Sequence, residues 1–122
     1  MSTRDELAAL NQAFEAALAS QDADRVAGFY ADDARLLFAG GPIVRGRAAI
    51  IAMFREDLKA GPVSIHFESG DVLEDGRLVV DVGRYVTPTG GGKYVVVYER
   101  QPDGSLKLAV DAASSDGPSS TP

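Results

Sequence analysis

The groups in this chain best suited to chemistry are a few carboxylates and phenols. Tyr30 opens the run Tyr-Ala-Asp-Asp-Ala at residues 30–34, Tyr98 stands in an apolar run with Tyr94, and Asp111 lies in the last apolar run before Ala113. If Tyr98 points into a core, the period of two along a strand puts Tyr94, Val96 and Arg100 on its face. The same parity on the following run puts Lys107, Ala109, Asp111 and Ala113 inward. Tyr98 and Asp111 are then neighbours across a hairpin, a hydrogen-bond donor beside an acid or base. The alternative is structural: Asp111 accepts a hydrogen bond from a tyrosine hydroxyl or from Arg84 and forms a satisfied polar pair.

Other polar groups carry less. His66 is the single histidine, with Val63, Ile65 and Phe67 on the opposite face of its run. It is read either as a pocket-lining base or as an ordinary half-buried or surface histidine. A zinc site of the usual kind needs several His or Cys ligands, and the chain has no cysteine, so no metal is expected. Asp32 and Asp33 fall where a cap or solvated turn is wanted. The Thr-Gly-Gly-Gly-Lys run at residues 89–93 lacks the spacing of a phosphate cradle and no helix follows it, so it reads as a hairpin loop and no cofactor is expected. Arg45 and Arg47 either rim the pocket or meet the Asp pair.

The elements that must position these groups fall into two halves. Thr3 with Glu6 has the spacing of a capping box, and Leu7, Leu10, Phe14, Ala17 and Leu18 recur at helical spacing, predicting a helix over about residues 3–19. Asp22 caps a second, short helix through Val26, Phe29 and Tyr30 that ends near the Asp pair. Residues 34–38 read as a strand, Gly40-Gly41-Pro42 as a turn and residues 43–46 as a short return. A third helix then carries Ile50, Ile51, Phe54 and Leu58 on one face and stops at Gly61-Pro62.

From Val63 onward the period alternates. Turn signals at Asp75-Gly76, at residues 89–92 and at Pro102-Asp103-Gly104 divide the remainder into four strands, an antiparallel meander. Helices first and strands after describe an α+β fold with a curved sheet wrapped around three N-terminal helices.

At 122 residues the chain makes one domain, read as residues 1–116 with residues 117–122 as a flexible tail. Hydrophobic residues are 45% and charged residues 25%, an ordinary globular balance. A net charge of −6, with scattered Lys and Arg, argues against nucleic acid as a partner. No segment is long and apolar enough to span a bilayer, and residues 1–10 lack the pattern of a signal peptide, so no membrane partner and a cytoplasmic location are expected.

The order helix, helix, Tyr-Ala-Asp-Asp-Ala, strand, Arg-Gly-Arg-Ala-Ala-Ile, helix and meander resembles the nuclear transport factor 2-like superfamily over residues 3–116. The ending, with Gly92-Lys93-Tyr94, the Asp103-Gly104 turn and the run Asp111 to Asp116, resembles its SnoaL-like and ketosteroid isomerase-like bacterial members. The resemblance implies a cone-shaped, cystatin-like sheet with a pocket between helices and concave face, and a homodimer through the sheet's outer face.

The resemblance also permits a site comparison. Ketosteroid isomerases place an Asp base eight residues after the tyrosine of this run, and here that position is Phe38. The positions of their donor tyrosine and supporting tyrosine fall on Phe14 and Phe54, and the donor Asp of the sheet falls on Tyr98. Only Tyr30 is retained. Phenylalanine can neither accept a proton nor donate to an enolate, so ketosteroid isomerase activity is not expected.

A carboxylate at Asp111 enclosed by Phe14, Phe38 and Phe54 would be desolvated and its pKa raised. Ala113 stands where relatives carry tryptophan and should enlarge the pocket. The ligand-binding candidates are Phe14, Tyr30, Phe38, Phe54, His66, Tyr98, Asp111 and Ala113, with Asp111 and Tyr98 the catalytic candidates. These walls suit a small apolar molecule with one or two polar atoms. The expected function is small-molecule binding. The alternatives are an isomerase, cyclase or hydratase using Asp111 as acid or base and Tyr98 as donor, and a dimeric association module with a vestigial pocket.

Overall fold

The computed structural model describes residues 2–117. Helix α1 spans Thr3–Ala19, α2 Ala23–Ala27 and α3 Arg47–Asp57; the strands are β1 Tyr30–Phe38, β2 Val44–Arg45, β3 His66–Asp75, β4 Leu78–Thr87, β5 Gly90–Arg100 and β6 Leu106–Ser115. They form one six-stranded sheet in the order β2-β1-β6-β5-β4-β3. The last four strands are the expected antiparallel meander. One pairing departs from an antiparallel sheet: β1 lies parallel to β6. The α2–α3 half of the chain thereby brings its strand back beside the last one, and the curled sheet keeps α1 and α3 on its concave side.

Helix α1 has the expected bounds, but its cap lies one residue before the expected capping box. Ser2 is the N-cap, its hydroxyl accepting from the Asp5 amide while the Asp5 carboxylate returns to the Ser2 amide. Glu6, the expected partner of Thr3, is instead held by Arg100 of β5 at 2.5 Å. Asp22 caps α2 through the Arg25 amide as expected. Helix α2 is shorter than expected, and Tyr30 is the first residue of β1 rather than the end of a helix.

The Asp pair sits in an irregular opening of β1, where the register against β6 shifts between Tyr30 and Arg35. Both aspartates are exposed, and Asp32 pairs with Arg47 at 3.0 Å. Arg47 also donates to the Tyr30 carbonyl at 2.7 Å and so ties the start of α3 to the start of β1.

The strand parity holds on β5 and breaks on β6. Tyr94, Val96 and Tyr98 face the helices, but the register shifts at Val97/Tyr98, so Tyr98 lies opposite Leu108 and Val97 opposite Val110. Ala109 is the extra residue of a β-bulge. Leu106 and Leu108 therefore point inward before the bulge and Asp111 and Ala113 after it. Lys107, expected inward, instead reaches the Gly28 carbonyl at 2.6 Å from a half-buried position outside the cavity. The expected tail lies, apart from Gly117, outside the described residues.

Candidate functional site

A cavity of about 410 Å³ occupies the space between α1, α3 and the concave face of the sheet. Its position follows from the fold: the helices cover the sheet at one end of the cone, and the sheet curls away from them. Helix α1 contributes Leu10, Asn11, Phe14 and Leu18, and α3 contributes Phe54. The strands contribute Tyr30, Phe38, Phe67, Tyr85, Tyr94, Tyr98 and Asp111 among others.

All five phenylalanines and all four tyrosines of the chain line this one cavity. The rings form a connected wall. Phe14 meets Phe29 edge-on with centroids 5.3 Å apart, Tyr30 at 6.0 Å and Phe67 at 5.7 Å. Tyr30 continues to Phe54 at 6.0 Å, and Phe67 to Tyr94 at 5.9 Å. Phe14, Phe38 and Phe54 thus border an open space rather than fill it.

Asp111 is the single ionisable carboxylate among the lining residues, which include no Lys, Arg or His. It is 8% exposed, and burial pushes its carboxyl up to about 6, a rise that the Tyr30 hydrogen bond opposes. The Tyr30 hydroxyl donates to Asp111 Oδ2 at 2.7 Å. The other carboxylate oxygen has no protein partner among the described residues, yet it is not sealed from the cavity. Asp111 lies opposite Val96, between the pairs Tyr98 with Leu108 and Tyr94 with Ala113. Its hydrogen-bond partner is therefore Tyr30 from the parallel neighbour strand. Neither Tyr98 across the hairpin nor Arg84, which faces Glu68 on the sheet's other side, takes that place.

The Tyr98 hydroxyl has no hydrogen-bond partner among the described residues and is likewise not sealed. Desolvation first, then the nearby Asp81, Tyr94 and Asp111, raise its pKa, so it stays a proton donor at neutral pH. Tyr30 and Tyr94 are raised by burial and by their carboxylate partners, Asp111 and Asp81. The cavity thus holds one half-paired carboxylate, Asp111, and two phenols without a hydrogen-bond partner among the described residues, Tyr85 and Tyr98, in walls that are otherwise mostly apolar.

Seven of the eight expected pocket residues line the cavity: Phe14, Tyr30, Phe38, Phe54, Tyr98, Asp111 and Ala113. His66 does not. Its neighbours Ile65 and Phe67 point in, so the alternation of the strand turns His66 outward, where its side chain is 65% exposed and its Nδ1 lies 3.3 Å from Glu15.

Sequence reasoning missed a second buried carboxylate, Asp81 of β4. It is fully buried and accepts from Ser69 Oγ at 2.7 Å, the Gly70 amide at 3.3 Å and the Tyr94 hydroxyl at 2.9 Å. Asn11 of α1 extends the chain by donating to Ser69 at 3.1 Å. Asp81, Val96 and Asp111 form one cross-strand row. The available signal was an aspartate alternating with Val79 and followed by Gly83 inside an apolar strand. Gly83 gives Tyr94 the room to reach Asp81, since a Cβ there would collide with the end of the Tyr94 ring. Among the described residues no group of three or more His, Cys, Asp or Glu is placed to hold a metal, and no helix is long and apolar enough to cross a membrane.

Comparison with known proteins agrees with this architecture. An NTF-2 like protein of unknown function from Shewanella oneidensis has TM-score 0.79 at 17% identity, with 93% of this chain and 99% of that chain covered. A protein of Xanthomonas campestris, assigned as a calcium/calmodulin-dependent protein kinase II association domain, is 26% identical with TM-score 0.73 over 92% of this chain and 86% of that chain. A ketosteroid isomerase-like protein of Erwinia carotovora has TM-score 0.69 at 17% identity over 87% and 90%. No curated protein matches the chain. The SnoaL-like domain family matches residues 11–107, most of the chain though not β6 beyond Lys107, and the protein belongs to that family.

Proposed function

We propose that this domain binds a small, largely apolar molecule in the cavity between its helices and sheet. The observation that carries the reading is a space of about 410 Å³, within the range of small-molecule sites, walled by aromatic side chains and holding polar groups with unused hydrogen-bonding capacity, Tyr98 and Asp111 among them. Tyr98 donates to an acceptor atom of the ligand, and the free oxygen of Asp111 accepts from a donor. The aromatic walls supply the binding energy, at roughly 25 cal/mol for each Å² of apolar surface removed from water.

A second reading is supported by the same carboxyl. A buried Asp111 whose pKa is raised to about 6 is prepared for proton transfer near neutral pH, and Tyr98 can steady a developing negative charge. An isomerase, cyclase or hydratase would use them so.

The domain also pairs with a second copy through the outer face of the sheet. Two apolar rows cross that face: Val82, Val95, Ala112 and Leu37 in one, Val80, Val97 and Val110 in the next. Val82, Val95 and Leu37 are each about two-fifths exposed in the single chain. Association removes that surface from water, and the Xanthomonas relative carries an association-domain assignment.

The pocket reading is tested with the neutral, environment-sensitive dye 6-propionyl-2-dimethylaminonaphthalene. Saturable binding of one dye per chain is expected. Ala113→Trp, which places an indole in the cavity, should weaken it by more than about tenfold while leaving the fold intact. Binding that Ala113→Trp leaves untouched would place the dye elsewhere and remove the reading.

A further inference from the structure

We propose that the ligand of this cavity is a lipophilic cation: an apolar body bearing one amine that is protonated at neutral pH and pairs with Asp111. The inference rests on the pocket reading above and adds the charge of the ligand. Its first support is the balance of charge in the walls. Asp111 is the one charged side chain lining the cavity, and no lysine, arginine or histidine lines it to offset that charge. The carboxylate receives a single protein hydrogen bond, from Tyr30, whereas the fully buried Asp81 receives three.

A carboxylate buried beside only one donor is incompletely compensated, and a ligand that brings a positive charge with its own N–H donors completes it. The single positive charge and the single negative charge then form a neutral buried pair. An anionic ligand would meet both the uncompensated carboxylate and a chain of net charge −6.

The second support is the wall itself. An ammonium entering an apolar cavity loses its water, and only a site that replaces that water can hold it. Aromatic faces do so through their negative quadrupoles, and this cavity concentrates every aromatic side chain of the protein. Tyr30 and Phe54 lie within 6.0 Å of each other, and the first of these two rings carries the hydroxyl bound to Asp111. The carboxylate thus lies at the hydroxyl end of a ring that belongs to the aromatic wall, and a cation paired with it enters a cavity lined by aromatic side chains. An alkane wall would favour only the apolar body of the ligand.

The experiment compares three probes with one body: 1-aminoadamantane, 1-adamantanol and adamantane-1-carboxylate, titrated calorimetrically into the full chain at pH 7.5. The amine is expected to bind about tenfold or more tighter than the alcohol, and the carboxylate not at all. In Asp111→Asn the amine should fall to the affinity of the alcohol while the alcohol changes little. Asp111→Ser, which opens space rather than filling it, reads the same contrast should the Asn variant not fold. An alcohol that binds as well as the amine, or an amine preference that survives loss of the carboxylate, overturns the charge assignment while leaving the pocket reading in place. Absence of binding by all three while the dye still binds overturns the charge assignment alone, and absence of dye binding as well removes the pocket reading.

Discussion

The Tyr30 hydroxyl donates to Asp111 Oδ2 at 2.7 Å across the parallel strand pair, joining residues 81 positions apart in the chain. This bond fixes the orientation of the cavity's one charged group and is the protein's sole donor to it among the described residues. Tyr30→Phe leaves the carboxylate buried with no donor, so its pKa rises further. The loss of stability should be roughly 1–3 kcal/mol at pH 7.5, where Asp111 is ionised, and distinctly smaller at pH 4, where it is protonated. Urea unfolding at the two pH values reads this; equal losses at both would show that the bond does not serve the charged form.

Asp111 also makes stability depend on pH in its own right. Its folded pKa of about 6 lies above the ordinary 3.8, so between those values the folded chain holds a proton that the unfolded chain has released. Stability from this group is full below about pH 4 and declines as pH rises toward and through 6. A rise of that size corresponds to roughly 3 kcal/mol. Asp111→Asn, which does not titrate, should therefore gain on the unmodified protein by up to that amount between pH 4 and pH 7.5. A difference that stays flat over that range would contradict the raised pKa.

Gly83 and Tyr94 are coupled through space rather than sequence. The Tyr94 ring lies over the glycine on the neighbouring strand and so reaches Asp81 at 2.9 Å. Gly83→Ala brings a Cβ against both the end of the Tyr94 ring and the Glu68 backbone carbonyl, and should cost roughly 1–3 kcal/mol or more through overpacking and the lost hydrogen bond, of which Tyr94→Leu can relieve only the ring's share. Tyr94→Leu removes the clashing end of the ring. The double variant should then show a coupling of about 1 kcal/mol or more in a cycle of unfolding free energies. Strictly additive losses would mean that the clash with the Glu68 carbonyl, and not the ring, sets the need for glycine.

Much of this architecture was legible in the sequence because its signals are local. Helical spacing from Leu7 to Leu18 and the glycine-bearing turns at Gly76, Gly90 and Gly104 mark α1 and the meander within the reach of a few residues. The inward face of β5 followed from simple alternation. Features that depend on pairing between distant strands were not legible. Alternation alone carries no mark of the bulge at Ala109, which swaps the inward residues of β6 between Lys107 and Asp111. The partner of Asp111 escapes alternation for the same reason: Tyr30 reaches it only because β1 returns parallel to β6. Asp81 looks like one more polar residue in a strand until the sheet brings Ser69, Gly70 and Tyr94 to it.

The outer face makes a separate prediction. Light scattering at micromolar concentration should report twice the 12.8 kDa chain mass. Val95 stands in the middle of one exposed apolar row, opposite Val82 on one side and Ala112 on the other. Val95→Lys places like charges against each other across a symmetric interface and should yield a monomer with an unchanged circular dichroism spectrum. A monomeric unmodified protein would end the pairing proposal outright.

Phe38 is the last residue of β1, lies beside Ala113 and lines the cavity, so a carboxylate placed there would enter the same space as Asp111. The unmodified protein should show no 3-oxo-steroid isomerisation, because position 38 has no group that can carry a proton between ring carbons. Phe38→Asp supplies one, and burial should raise its pKa as it does for Asp111, at some loss of stability where it finds no partner. Slight isomerisation is then expected. The Phe14 ring, 6.0 Å from Tyr30, lines the same cavity at the position that the resemblance to ketosteroid isomerases gives to the donor tyrosine, so Phe14→Tyr together with Phe38→Asp should exceed either change alone. Absorbance of the conjugated enone product follows the reaction directly. Robust isomerisation by the unmodified protein would show that these aromatic side chains do not stand in for the missing base and donor, and would transfer the proton chemistry to Asp111.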